Sequence, residues 1–162
     1  SAMSSSPSAP VAISPLIAAH LATNRCAAQW RGVMEALASE FASALSPEDL
    51  RALMARVGMR FAVTHALPRC GTLEELQCAI SAVWEPADWG WVHLTQAADH
   101  LDIHHTLSPL FSAFGSEHVS WAGGFLEGAY QQWFNQAGSG QLRVSLAAPI
   151  DAWGCAHLRL AR

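Results

Sequence analysis

The sequence contains no lysine: its nine basic residues are all arginines, and 13 acidic residues leave a net charge of -4. Nucleic-acid-binding domains present a basic surface to the phosphates. The missing positive charge therefore argues against DNA or RNA as a partner. Charged residues of both signs form only 14% of the chain, which is about half the usual share of a globular domain. So little solvating surface predicts a chain that associates with copies of itself.

The sequence also lacks an apolar run near the roughly 20 residues that cross a bilayer, so we expect no transmembrane segment. Its start, Ser1-Ala2-Met3, resembles a remnant of tag cleavage, without the basic and apolar regions of a secretory signal. Four cysteines without C-x-x-C spacing predict plain buried thiols in a reducing compartment: Cys26, Cys70, Cys78 and Cys155. We therefore expect a cytoplasmic protein, with a periplasmic location left open.

The motifs of common enzymes are absent as well. The sequence has no G-x-S-x-G, no P-loop and no G-x-G-x-x-G, and Gly138-Ser139-Gly140 follows a predicted helix, where glycines form a turn. Paired carboxylates such as Glu74 with Glu75 fall in helix caps or on helix faces. We therefore expect no enzyme activity, no catalytic residue, no cofactor and no cofactor-binding residue.

The chain divides into an arm and one domain. Residues 1–25 predict a tag remnant and a flexible N-terminal arm with a short helix near residues 16–21, and residues 26–162 predict a single domain. Apolar residues at helical spacing from Trp30 to Phe41 indicate a first amphipathic helix. Ser46 before Pro47, and Thr72 three residues before Glu75, are start signals for a second and a third helix.

The hydrophobic period changes to two after residue 88. Alternation predicts one β-hairpin over residues 91–105 and another from residues 142–146 and 156–160. Between them, residues 120–137 predict a helix that is apolar on nearly every side. The sum is an α+β fold: an N-terminal helical cluster, a β-hairpin, a central apolar helix and a C-terminal β-hairpin, with the strands forming a small antiparallel sheet.

Eight histidines raise the question of a metal site, above all between Asp99 and His105. On a helix, His100 and His104 would share a face, whereas on a strand they are about 13 Å apart. The alternation of apolar and polar residues favours the strand, so we expect no metal-binding residue. Pairing of His93 with this segment leaves a fortuitous site open.

The numerous tryptophans and the glycines of the predicted central helix indicate how the chain packs. The seven tryptophans are compatible with a filled core, a subunit interface or stacking on sugar rings. Gly123, Gly124 and Gly128 fall in the predicted central helix, where each costs up to about 1 kcal/mol relative to alanine. They indicate that another backbone comes close, and we expect it to belong to the same chain rather than to a second copy.

Several short stretches of the sequence follow one another in the order found in a known protein family. They are Val33-Met34-Glu35-Ala36-Leu37, Leu53 to Phe61 with Gly58, Cys70 to Leu76, Trp89-Gly90-Trp91-Val92, Ile103-His104-His105 with Ser108-Pro109, and Phe125 to Tyr130 with Trp133. In this series the chain resembles the D subunit of bacterial cellulose synthase from roughly Trp30 to the C-terminus. The residues expected to carry the fold or the assembly are Trp89, Gly90, Trp91, Gly124, Leu126, Glu127, Gly128, Tyr130 and Trp133.

The resemblance implies a non-catalytic accessory subunit of cellulose export. Members of this family form dimers that build a ring-like octamer with proposed passageways for glucan chains, and they promote crystalline cellulose rather than its synthesis. The implied partners are further copies of the chain, other cellulose secretion subunits and glucan chains. The absence of lysine and the His104-His105 pair depart from the relatives, so no partner-binding residue is transferred.

Two other functions stay open from the sequence. The eight histidines and seven tryptophans are compatible with a small-ligand or metal-binding α+β domain. Alternatively, the second and third helices present a groove to a partner helix in an adaptor of another secretion apparatus.

Overall fold

The computed structural model describes residues 14–17, 21 and 25–162. The predicted N-terminal arm over residues 1–25, with its tag remnant, lies mostly outside the described residues, as does part of the short helix predicted near residues 16–21. Of that helix, residues 15–17 and Leu21 are helical and exposed.

Three α-helices open the domain: α1 at Ala28–Ala44, α2 at Pro47–Thr64 and α3 at Leu73–Trp84, which a short 3-10 helix at Glu85–Ala87 extends. Each predicted start signal is confirmed by a side-chain cap. The hydroxyl of Ser46 accepts a hydrogen bond from the Asp49 amide at 3.1 Å. The hydroxyl of Thr72 accepts one at 3.1 Å from the amide of Glu75. These bonds satisfy backbone donors that the first turn of a helix leaves free.

Both predicted hairpins form, and they join into one antiparallel sheet. The strands are β1 at Trp91–Gln96, β2 at Leu101–Thr106, β3 at Arg143–Leu146 and β4 at Ala156–Ala161. Their order across the sheet is β1-β2-β4-β3, because β2 of the first hairpin pairs with β4 of the second. One face is covered by helices, and the opposite face carries the polar side chains of each strand.

The helix predicted over residues 120–137 is in fact the end of one helix and the whole of another. α4 spans Leu110–Ala122 and α5 spans Gly124–Gln136. The sequence did not reveal α4 because it has no side-chain cap and is interrupted at Gly115, whose φ of 72° breaks the helical period. α5 is the predicted apolar helix, with eight of its 13 residues buried.

The five α-helices between residues 28 and 136 cover the sheet and one another in pairs. α5 packs along α2 and against β3, α3 lies on β1, and α1 rests on α4. The α+β fold class is thereby confirmed. No helix in the described part of the chain combines the length and the apolar character needed to span a bilayer.

The cysteines are not uniformly buried. The thiol prediction holds for Cys26, which is buried, whereas Cys70 and Cys155 are half-buried and Cys78 is exposed. The prediction is wrong for Cys78 because it lies on the exposed side of α3, whose buried side carries Leu76, Ile80 and Trp84.

Candidate functional site

Most of the residues expected to carry the fold or the assembly lie inside the molecule. Trp91 is the exposed one, with 44% of its surface accessible. The others are buried or half-buried: Trp89, Gly90, Gly124, Leu126, Glu127, Gly128, Tyr130 and Trp133. They occupy the aromatic core, the contact between α2 and α5, and the end of the first hairpin.

A directional series of hydrogen bonds crosses the aromatic core. The indole N–H of Trp84 donates to the Tyr130 hydroxyl at 3.1 Å, and that hydroxyl lies 2.7 Å from Nδ1 of His105. His105 Nε2 lies 2.7 Å from the carbonyl oxygen of Trp89. Since a carbonyl only accepts, Nε2 carries the proton and Nδ1 accepts from Tyr130. Every polar atom of this series is thus paired, and α3, α5 and β2 are tied together.

Burial shifts the titration of both ionisable side chains in this series. Desolvation lowers the pKa of His105 to about 4, and it raises the pKa of Tyr130 well above its ordinary value. Both groups are neutral at pH 7. The two side chains with shifted pKa values therefore belong to a buried structural network, in which their polar atoms are already hydrogen-bonded to one another or to the protein.

Two of the three helix glycines allow α5 to touch α2. A Cβ atom at Gly124 would lie 2.4 Å from the carbonyl oxygen of Arg51, and one at Gly128 would lie 1.9 Å from that of Ala55. From the other side, a Cβ at Gly58 of α2 would lie 2.0 Å from the carbonyl oxygen of Phe125. The close backbone is therefore a helix of the same chain. Gly123 differs, because it links α4 to α5 and faces side chains.

Glu127 joins three elements. Its Oε1 pairs with Nε of Arg51 on α2 at 2.7 Å, and its Oε2 accepts the amide N–H of Leu146 on β3 at 2.9 Å. The hydrogen bond to Glu127 raises the pKa of Arg51. One turn further along α5, Gln131 Oε1 accepts the amide N–H of Val144 at 2.8 Å. The free edge of β3 is thus hydrogen-bonded by side chains of α5.

At the opposite edge of the sheet, side chains of α3 accept hydrogen bonds from the backbone of β1 in the same way. Ser81 Oγ accepts the amide N–H of Val92 at 3.1 Å, and Gln77 Oε1 accepts that of Leu94 at 2.8 Å. An unpaired strand edge is a template for another strand. Here helical side chains occupy donors at both edges. None of these residues is predictable from the sequence, because nothing local distinguishes them from other polar residues of a helix.

The apolar stripe that predicts α1 is largely exposed. Trp30, Val33, Leu37 and Phe41 retain 56%, 48%, 44% and 39% of their accessible surface, and the stripe continues to Leu45. α1 contacts α4 through another side, where Ala38 is buried. Apolar side chains aligned over four turns of helix form a surface that soluble monomers rarely leave uncovered. We call these five residues the α1 stripe.

The structure confirms the core role for three of the seven tryptophans and leaves the other two roles open. Trp84, Trp121 and Trp133 are buried in the core, whereas Trp30 and Trp91 are exposed on α1 and β1. Trp84 stacks on Phe61 with ring centroids 5.2 Å apart. The core interpretation is therefore right for the buried three, and the exposed two are available to a partner or a ligand.

Three of the histidines lie in a row on the outer face of the sheet. His104 lies opposite His93 on one side and His157 on the other, so the three form a row across β1, β2 and β4. Asp102 accepts from His157 at 2.7 Å and contacts His100 at 3.2 Å. The hydrogen bond from His157 is the main reason why the pKa of Asp102 falls to about 2. His157 was missed from the sequence, since strand register alone brings it beside His104.

Comparisons with known proteins agree with the sequence resemblance. The family model for the D subunit of cellulose synthase matches residues 16–161. Cellulose synthase operon protein D from Komagataeibacter xylinus is 28% identical over 102 residues, which cover 62% of this chain and 65% of the relative. The protein of the same name from Komagataeibacter sucrofermentans matches equally well. The matched part of the chain thus spans just under two thirds of the length of these relatives.

Among solved structures, the chain is similar to subunit 3 of the trafficking protein particle complex from Naegleria fowleri, crystallised with palmitic acid covalently bound. The TM-score is 0.52 at 10% identity, and the match covers 91% of this chain and 96% of that one. At such low identity the likeness concerns the fold alone. The family match, in contrast, extends over nearly the whole chain, which therefore belongs to the family of cellulose synthase D subunits.

Proposed function

We propose that this chain is a non-catalytic, self-assembling accessory subunit of bacterial cellulose synthase. It assists the export of β-1,4-glucan chains and their packing into ordered, crystalline cellulose, together with other cellulose secretion subunits. Its assembly is built from dimers and reaches an octamer. The observation that carries the proposal is the exposed α1 stripe on a member of the cellulose synthase D family.

The occupant of the α1 stripe in this proposal is a second copy of the chain. Two-fold pairing brings the same surface of both copies together, so each apolar side chain of one stripe covers part of the other. The five side chains of the stripe each have between 38% and 56% of their surface still accessible. Burying that remainder contributes roughly half of the 1.5–3 kcal/mol gained by a fully exposed apolar side chain, before association costs are met. The small charged share of the sequence, 14%, supports a chain whose surface is partly covered in its assembly.

The capped sheet edges support association through helices. Ser81 and Gln77 accept backbone N–H groups at the edge of β1. Glu127 and Gln131 do the same at the edge of β3. Two copies of the chain would therefore gain few hydrogen bonds by pairing their edge strands. The exposed side of α1 has no such restriction. Assembly through this helix leaves the sheet, with Trp91 on its outer face, open to a further partner such as a glucan chain.

The link to cellulose comes from the relatives, which are named as products of a cellulose synthase operon. It is tested by complementation in a cellulose-producing bacterium from which the gene for its own D protein has been deleted. Cellulose yield and crystallinity, measured by X-ray diffraction of the washed pellicle, are compared for the chain and for two variants. Leu37→Glu places a charge in the α1 stripe. Ala36→Glu adds the same charge at the neighbouring exposed position, off the stripe.

We expect the unaltered chain and Ala36→Glu to restore crystalline cellulose, and Leu37→Glu to fail although it is folded and expressed. Equal restoration by both variants would contradict the role of the α1 stripe. If the unaltered chain, expressed as a folded protein, leaves yield and crystallinity at the level of the deletion strain, the cellulose function itself is wrong.

A further inference from the structure

The outer face of the sheet gathers side chains that favour metal ions. His104 of β2 and His157 of β4 are register partners, and their rings stack with centroids 4.4 Å apart and planes 10° apart. Asp102 precedes His104 by two residues and so projects from the same face of β2. The cluster is solvent-accessible, since His104 is exposed and the other two are half-buried.

Donor atoms of the cluster are close enough to share one ion. One donor atom from each of Asp102, His104 and His157 lies within 4.8 Å of the other two. Zn²⁺ binds imidazole nitrogens and carboxylate oxygens at about 2.0–2.2 Å, which places tetrahedral ligands about 3.3 Å apart. The difference is small enough for rotation of these solvent-accessible side chains to close, while the paired strands hold the three Cα atoms in place.

Neighbouring residues support the cluster and also oppose it. His100 contacts the second carboxylate oxygen of Asp102 at 3.2 Å, so it restricts the orientation of the carboxylate. His93 lies opposite His104 and completes the histidine row. Arg159 is the opposing charge: its Nε lies 3.4 Å from Oδ1 of Asp102. Because Arg159 is exposed, it can swing into solvent when a cation binds.

We propose that Asp102, His104 and His157 bind one divalent transition-metal ion, with Zn²⁺ the expected occupant, on the outer face of the sheet. Two imidazoles and one carboxylate leave at least one coordination position for water or for a ligand from a partner molecule. Nitrogen donors favour zinc, nickel or copper over magnesium or calcium. The site requires neither self-assembly nor cellulose, so its test is independent of the proposed function.

The test uses the full chain, without a histidine tag and stripped with EDTA, and measures Zn²⁺ binding by competition with a chromophoric chelator. We expect one Zn²⁺ per chain at this site. The double variant His104→Gln, His157→Gln and the single variant Asp102→Asn should each bind at least about tenfold more weakly. Arg159→Gln should bind more tightly, because the competing charge is removed.

His65→Gln is the matched control, since His65 is exposed at the end of α2, outside the cluster. It should leave the affinity unchanged. Substituted Co²⁺ provides a second readout, because visible absorption typical of nitrogen ligation should appear with the unaltered chain and be lost in the double variant. Absence of Zn²⁺ binding, or an equal loss of affinity in His65→Gln and in the double variant, would overturn the proposal.

Discussion

The hydroxyl of Tyr130 lies 2.7 Å from Nδ1 of His105, and both side chains are buried. This bond connects the central helix α5 to strand β2. It also fixes the imidazole so that its other nitrogen donates to the Trp89 carbonyl. The position of the first hairpin relative to α5 therefore depends on one buried, fully paired series of polar groups.

Tyr130→Phe should destabilise the fold although it removes a single oxygen atom. The change leaves the indole N–H of Trp84 and Nδ1 of His105 buried without partners, at a cost of about 1–3 kcal/mol each. The free energy of unfolding from urea titrations is the relevant measurement. A variant as stable as the unaltered chain would show that water or a rearranged side chain satisfies both groups.

Stability should fall in mildly acidic, metal-free buffer because of His105. Desolvation, aided by the positive charge of Arg25, lowers its folded-state pKa from 6.5 to about 4, although the hydrogen bond to Trp89 opposes the shift. Between these values the unfolded chain binds the extra proton, so stability is present above pH 6.5 and is lost as the pH falls. From pH 7 to pH 4.5 the loss from this group is about 2 kcal/mol.

His105→Gln removes this titration and is the reference for the pH experiment. Unfolding free energies of the two proteins should converge as the pH falls from 7 to 4.5, since other titrating groups are common to both. Parallel pH profiles would mean that the imidazole of His105 does not stay neutral in the folded state.

Gly128→Ala should destabilise the contact between α2 and α5. The added methyl group would lie 1.9 Å from the Ala55 carbonyl oxygen, so the helices must separate, at a cost of about 1–3 kcal/mol or more. Gly32→Ala in α1 is the matched control, because a Cβ there meets no atom within 4 Å. That control should gain up to about 1 kcal/mol from helix propensity. Thermal unfolding distinguishes the two, and equal melting temperatures would refute the close contact.

Opening one sheet edge should expose the chain to aggregation. The double variant Gln77→Ala, Ser81→Ala frees the amides of Val92 and Leu94, at about 1 kcal/mol per lost hydrogen bond. Thioflavin T fluorescence during prolonged incubation should rise faster than for Gln29→Ala, an exposed change on α1. Identical fluorescence curves would show that α3 protects the edge by covering it rather than by these hydrogen bonds.

Local signals in the sequence predicted most of the elements but not all of their contacts. Ser46 and Thr72 were recognisable because a cap is a bond between residues three apart. α4 was not predicted because Gly115 interrupts the helix and its apolar periodicity. The stripe from Trp30 to Phe41 revealed a helix, yet periodicity does not say what covers an apolar face. His157 could not be predicted as a neighbour of His104 either, because the pairing of two strands that are distant in the sequence brings these residues together.

The molar mass in solution, from light scattering coupled to size exclusion, tests the α1 stripe as an assembly surface most directly. The chain has a mass of 17.4 kDa, so an octamer would be about eight times heavier, and a dimer about twice. We expect an octameric mass that Leu37→Glu lowers and Ala36→Glu leaves unchanged. A monodisperse monomer at micromolar concentration, or a mass that both variants leave at the value of the unaltered chain, would contradict assembly through α1.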